Sequence, residues 1–329
     1  LRGAQQYPFQ GALIVRRPRV GWGSARWRLV AICVGLLQSS CDTVALAPDA
    51  SASLDASRDA PPADAPTPPC APSDNVLLCG APLLIAHRGG GALRPEETLP
   101  AFENAAALHA DVLELDVHTT ADGEVVCIHD DTVDRTTNGT GAVHGLTFAD
   151  VRALDAGYRF TTDGGATFPY RGMGITVPRL AEVLAAHPAA WFSIEIKQLE
   201  PDIVDEVLEV VDASGAASRV VLVSFQDAVV REIRARRPEL VTGMSLGEFV
   251  AFARLRPGAE ETYEPPTTIS QLPAGSVTAE VVARAERFGV RLHAWTVNDR
   301  AAMERLLDLG VHGIMTDNPA LLADVLAHR

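Results

Sequence analysis

Beyond residue 80 the chain alternates short apolar runs with longer amphipathic stretches. The runs are LLIAH (83–87), VLELDV (112–117), VVCIHD (125–130), WFSIEIK (191–197), VVLVSF (220–225), TGMSL (242–246), TTISQ (267–271), RLHAWTV (291–297) and a late GIMTD (313–317). Strand-length runs separated in this way predict an α/β fold with parallel strands. Helix punctuation agrees. Thr278 is placed to cap a helix ending at Gly289, Asn298 one ending at Gly310, and Asp317-Asn318-Pro319 sets a cap and a first-turn proline before the last helix. The 248 residues from Pro82 to Arg329 match the ~250 typical of a (β/α)8 TIM-type barrel. An open doubly wound sheet is the alternative, but no GxGxxG follows the first strand. Residues 155–178 have no period, which predicts a long loop over one end of the barrel.

The first eighty residues follow a different pattern. RRPRVGWGSARWR leads into nine apolar residues, Leu29 to Leu37, the length of a signal-peptide core and too short for a membrane span. Residues 1–41 are therefore expected to be an export signal. Two processing sites compete, Ala45-Leu46-Ala47 and Cys41 in LLQSSC; the second resembles a lipoprotein signal, with Gln38 where Leu is usual, and is favoured. That places the protein in the periplasm or at the cell surface, with a lipid on Cys41 as a membrane tether. Residues 42–81 are read as a disordered tether rich in Ala, Pro and Asp, leaving 82–329 as the barrel. In an oxidising compartment Cys70 and Cys79 can pair, whereas Cys127 lies in an apolar strand. No CxxC or Cys/His spacing offers a zinc site.

Charge narrows the function. Residues 1–41 carry six arginines and no acid, so the remainder bears a net −20 within the total of −14, which argues against nucleic acid as a partner.

The candidate chemistry lies at strand ends. Glu114 and Asp116 in VLELDV point to one face of an otherwise apolar strand, and Glu195 and Lys197 in WFSIEIK share a face likewise. Like charges on one buried face repel unless a cation lies between them. Three converging carboxylates form an all-oxygen site suited to one divalent cation, Mg2+ or Ca2+. His87 and His129 end strands in the same way and supply a pair for general acid and base work. Arg88 and Lys197 add cations suited to a phosphate. Taken singly, each of these pairs would read as structural.

With HRG (87–89), PEET (95–98), ELDVHTTADG (114–123), HD (129–130), RTTNGTG (135–141), EIK (195–197), SF (224–225), WTVN (295–298) and GIMTDNP (313–319) in order, the chain resembles the glycerophosphodiester phosphodiesterase family over nearly all of residues 82–327. The resemblance implies a TIM barrel that hydrolyses glycerophosphodiesters to glycerol 3-phosphate and an alcohol with one divalent cation. It places His87 and His129 on the catalytic positions and Glu114, Asp116 and Glu195 on the metal ligands. Arg88 and Lys197 fall on the phosphate contacts, Glu96 on the acid of the family's PENT loop, and Phe225 and Trp295 on aromatics near the pocket, so that all five are expected to contact substrate. It also implies that the glycines after Arg88 let the backbone approach phosphate. Glu97 stands where the family usually has Asn and formally adds negative charge beside an anion site, while Thr98 after it is placed to cap the helix that follows. The alternative within enzymes is a lysophospholipase D or a sphingomyelinase D-like barrel, which would need an apolar groove beside the loop at 155–178.

Overall fold

The computed structural model describes residues 75–80, 82–256 and 258–329. The expected export signal, the possible lipid on Cys41 and all of the tether before Asn75 lie outside the described residues. Cys79 is disulfide-bonded, and Cys70, its expected partner, lies outside them too. Among the described residues no helix is long and apolar enough to cross a membrane.

Seven parallel strands run in the order β5-β4-β2-β1-β8-β7-β6: β1 (Leu83–Ala86), β2 (Val112–Thr119), β4 (Trp191–Ile196), β5 (Val220–Val223), β6 (Ile269–Pro273), β7 (Arg291–Trp295) and β8 (Gly313–Thr316). The TGMSL run is too irregular to form a full strand, yet it closes the sheet. Leu222 of β5 donates to Val241 O at 3.0 Å and accepts from Gly243, while Met244 N donates to Ile269 O of β6 at 2.9 Å. An eighth position is thus filled by a short bridge, and the (β/α)8 barrel expected from the apolar runs is present.

One expected barrel strand is not part of it. Val125–Cys127 forms β3, which pairs antiparallel with β2 (Val117 opposite Cys127). The ADG turn at 121–123, with Gly123 at a φ of 83°, folds the chain back at once, so no helix separates the two strands as a parallel crossover requires.

Nine helices lie among the described residues: α1 (Leu99–Ala107), α2 (Phe148–Arg152), α3 (Leu180–Ala186), α4 (Val204–Ala213), α5 (Asp227–Arg236), α6 (Leu246–Ala253), α7 (Ala279–Phe288), α8 (Arg300–Asp308) and α9 (Pro319–Ala327). Strand alternation divides the core. Leu113, Leu115, Ile194 and Leu222 pack outward against α1, α3 and α4, while Leu83, Ile85, Val112, Val221 and Ile269 fill the barrel interior. Leu77, in a single turn at Val76–Leu78, is fully buried in that interior cluster.

Most helix starts match the sequence. Thr278 caps α7, which ends at Gly289 in the left-handed conformation, and Asn318 caps α9. Two differ. The cap of α8 is Asp299, whose carboxylate accepts from Ala302 N at 2.9 Å, rather than Asn298. Thr98 precedes α1, but its hydroxyl donates to Pro95 O at 2.6 Å and caps nothing. The segment at 155–178 contains no helix or strand, as expected.

Candidate active site

The C-terminal ends of the strands open into a cavity of about 290 Å³ lined by His87, Arg88, Glu114, His129, Glu195, Lys197, Phe225, Met244, Trp295 and Met315, among others. β1 stops there because the chain turns sharply: His87–Gly89 forms a single 3-10 turn in which Arg88 takes a φ of 52°, followed by Gly90 at 90°. The glycines answer to packing. A Cβ on Gly89 would lie 2.9 Å from that of Ala101 on α1, and one on Gly90 would lie 2.9 Å from the Pro319 ring of α9.

The parallel register sets the three acids. Asp116 of β2 pairs with Glu195 of β4, and Glu114 lies two residues earlier on the same inward face. One oxygen from each of Glu114, Asp116 and Glu195 can be chosen so that all lie within 4.8 Å of one another. This spacing suits oxygens each ~2.0–2.6 Å from a common hard cation. Glu114 and Asp116 are 2% and 1% exposed, and both oxygens of Asp116 lack a hydrogen bond. Arg88 Nε and Lys197 Nζ do approach them, at 3.3 and 3.1 Å, but as ion pairs that are not aligned for hydrogen bonding. Burial and then the charge of Asp116 push Glu114 up to about 8 and Glu195 up to about 7. Asp116 itself is held below its ordinary value: burial opposes ionisation, but Lys197, His129 and Arg88 outweigh it. Three acids that cannot all ionise unaided, one with both oxygens unpartnered, fit a divalent cation.

Each histidine is gripped by a carboxylate. His87 Nδ1 lies 2.5 Å from Asp317 Oδ1, and His129 Nδ1 lies 2.7 Å from Asp130 Oδ1. An ionised carboxylate only accepts, so Nδ1 carries the proton in both rings and Nε2 is left for chemistry. Asp317 is in turn held by Asn298 Nδ2 at 2.6 Å. The two rings titrate in opposite directions. Burial disfavours the imidazolium of His87, but Glu114 and Asp317 overcome it and raise the ring; burial wins at His129 and lowers it. His118, without a partner foreseeable from its sequence context, places Nε2 3.2 Å from His129 O.

Arg88, Lys197, Phe225 and Trp295 line the cavity, and Glu96 does not. Lys197 bridges Asp116 and Glu195 and lies 5.6 Å from the centre of the Phe225 ring, which meets Trp295 edge-on at 5.4 Å. Glu96, expected to contact substrate, does not line the cavity; it stands behind Arg88 and accepts from its Nη1 at 3.0 Å. Glu97 is buried with a φ of 59° and accepts from Asp116 N at 3.0 Å. None of Tyr158, Phe160, Phe168 or Tyr170 lines the cavity; Arg171 stacks on Tyr158 and Phe168 instead. Asp130, Arg135, Asn298 and Asp317 were not singled out for the site from the sequence. Their signal was adjacency, since Asp130 follows His129 directly and the other three lie inside the quoted motifs.

The glycerophosphoryl diester phosphodiesterase family model matches residues 87–321. A glycerophosphodiester phosphodiesterase of Caldanaerobacter subterraneus subsp. tengcongensis is 36% identical over 74% of this chain and 97% of its own. One from Bacillus subtilis is 31% identical over 76% of this chain and 88% of its own. The crystal structure of a glycerophosphodiester phosphodiesterase from Agrobacterium tumefaciens superposes with a TM-score of 0.62 at 26% identity, covering 74% of this chain and 100% of that one.

Proposed function

This chain belongs to the glycerophosphoryl diester phosphodiesterase family and is a phosphoric diester hydrolase, and on that premise we propose that it cleaves small glycerophosphodiesters to glycerol 3-phosphate and an alcohol by two-histidine catalysis. Glu114, Asp116 and Glu195 would hold one divalent cation, Mg2+ or Ca2+, whose charge stabilises the non-bridging oxygens of the phosphate. Arg88 and Lys197, both lining the cavity, donate to the same oxygens. One imidazole takes the proton of the attacking oxygen, from water or from the glycerol hydroxyl of the substrate, and the other protonates the departing alkoxide. Asp317 and Asp130 keep both rings turned with Nε2 free and favour the imidazolium that forms.

The observation that carries this reading is the pairing of two carboxylate-gripped imidazoles with a three-carboxylate cluster in one cavity. A cavity of about 290 Å³ lies at the small end of the ~300–1,000 Å³ range of ligand sites, which favours a head-group diester over a lipid. A second reading, a lysophospholipase D or sphingomyelinase D-like enzyme, draws on Phe225 and Leu246, which are exposed large apolar residues joined by a backbone hydrogen bond.

One panel tests both. Release of the free alcohol, choline or ethanolamine, is measured from glycerophosphocholine, glycerophosphoethanolamine and lysolipids in Mg2+, Ca2+ and EDTA, with glycerol 3-phosphate identified as the second product of the water-soluble diesters and with His87→Ala and His129→Ala alongside. Turnover is expected on the water-soluble diesters, to be silenced by EDTA and to drop roughly 10²- to 10⁴-fold in either variant. Near-normal turnover by His129→Ala would refute the two-histidine mechanism, full activity in EDTA the cation, and preference for lysolipids the substrate class.

A further inference from the structure

We propose that Arg135 is a positioning residue for the hydrolysis inferred above, acting through Glu96 on Arg88 and through Asp130 on His129. Its guanidinium makes four hydrogen bonds. Nη1 and Nη2 donate to Glu96 Oε2 and Oε1 at 2.8 and 2.7 Å; Nε and Nη2 donate to Asp130 Oδ2 and Oδ1 at 2.7 and 3.1 Å. The two carboxylates lead onward, Glu96 to Arg88 Nη1 at 3.0 Å and Asp130 to His129 Nδ1 at 2.7 Å. An unbroken path of five side chains therefore joins a cation and an imidazole on the wall of the cavity. Arg135 itself does not line that cavity, so it acts only through its neighbours.

The two ends of this path lie on separate loops. Arg88 and Glu96 follow β1, whereas His129, Asp130 and Arg135 follow β3, and no strand ladder ties residues 90–98 to 129–135. Alignment of Arg88 with His129 therefore depends on side chains. Only a planar guanidinium can address two carboxylates with two donors each; an ammonium can bridge them through single contacts but fixes the plane of neither. Charge follows the same logic. Without Arg135, Glu96 has Arg88 as its remaining partner and draws it away from Asp116 and from the phosphate position, while Asp130 is free to rotate and release the His129 ring. The Arg135 side chain is 46% exposed, so solvent screening limits what its ion pairs add to folding, and the unfolding midpoint separates that part from the positioning role.

Arg135→Gln and Arg135→Lys in the full chain test this by steady-state kinetics on glycerophosphocholine with saturating divalent cation, by thermal unfolding, and by 15N spectra of the His129 ring assigned with His129→Ala. The expected result for Arg135→Gln is a loss in kcat/KM on the order of 10- to 100-fold, with KM raised and kcat lowered and the unfolding midpoint nearly unchanged. The Nδ1–H signal of His129 weakens, and Arg135→Lys restores only part of each change. Wild-type constants with an unchanged ring signal would overturn the proposal. So would a loss that tracks the unfolded fraction while the ring signal stays as in the wild type. The ring spectra also separate the two readings: wild-type protein that releases no glycerol 3-phosphate removes the hydrolysis reading, while a His129 signal lost in Arg135→Gln still supports the positioning role and a retained one ends it.

Discussion

Glu97 shows how surroundings change what a side chain contributes. By formal charge it adds a fourth carboxylate to an anion-binding site, but burial, followed by the charges of Asp116 and Glu114, pushes it well above the ordinary carboxyl range. It therefore holds its proton more tightly than the formal count implies and adds correspondingly less negative charge. Its Oε1 accepts from Asp116 N and so fixes the backbone of that residue, while Oε2 is buried without a partner. The φ of 59° also explains why Asn suits this place in the family, since a left-handed backbone is tolerated by Asn better than by most side chains. Glu97→Gln, a neutral near-isostere, is expected to keep activity within a few-fold and to raise the unfolding midpoint increasingly as pH rises above the ordinary carboxyl range, where the unfolded carboxyl has ionised and the folded one resists. Glu97→Ala removes the acceptor, leaves a buried N–H unsatisfied and should cost about 1–3 kcal/mol. Urea titrations of both variants check this, and equal loss in the two would show that the acceptor is not what matters.

Helix α8 separates two asparagine-aspartate roles that sequence alone merges. In VND at 297–299 either Asn298 or Asp299 satisfies the cap rule, and the earlier residue is the natural choice. The chain instead starts α8 at Arg300 with Asp299 as cap, which frees Asn298 to hold Asp317 from two sides: Nδ2 donates to Oδ2 at 2.6 Å, and Oδ1 accepts from the backbone N at 2.9 Å. Asp299→Ala should therefore lower stability by ~0.5–2 kcal/mol with little change in kcat, whereas Asn298→Ala should lower kcat with a smaller effect on folding. A reversal of the two effects in paired denaturation and kinetic measurements would contradict this division. The same contrast explains what could be read beforehand. Strand alternation is periodic and local, so the convergence of Glu114, Asp116 and Glu195 and the barrel itself were legible from residues 83–317. Contacts that join distant loops have no period: nothing local links Asp317 to His87 or Arg135 to Glu96. Likewise β3 read as a parallel strand because its apolar run matches the others, and only the immediate turn before it reverses its direction.

Across the whole molecule, two sets of buried groups set opposite limits on stability with pH. His293 and His312 are pushed down to about 3 and about 4 from an ordinary 6.5, chiefly by burial. Below pH 6.5 the unfolded chain takes up protons that these folded rings refuse, so stability falls as pH falls from 6.5 toward 4. Glu114 and Glu195 behave in the opposite sense, raised from 4.5 to about 8 and about 7, so the folded chain keeps protons that the unfolded chain has released. Stability must then fall as pH rises from about 4.5 through 8, and His87, also raised, loses its contribution in the same direction. The two trends oppose each other between 4.5 and 6.5, and above 6.5 the carboxylates act without opposition from His293 and His312. A divalent cation held by Glu114, Asp116 and Glu195 would bind them ionised, which removes the retained protons and with them the alkaline decline, and leaves the acid decline set by His293 and His312 unopposed between 4.5 and 6.5. Thermal unfolding from pH 4 to 9 in EDTA should therefore show midpoints that decrease above pH 6.5, and saturating Mg2+ or Ca2+ should flatten or reverse that arm while steepening the acid one. An alkaline arm of the same slope with and without cation would mean that the three carboxylates do not share an ion.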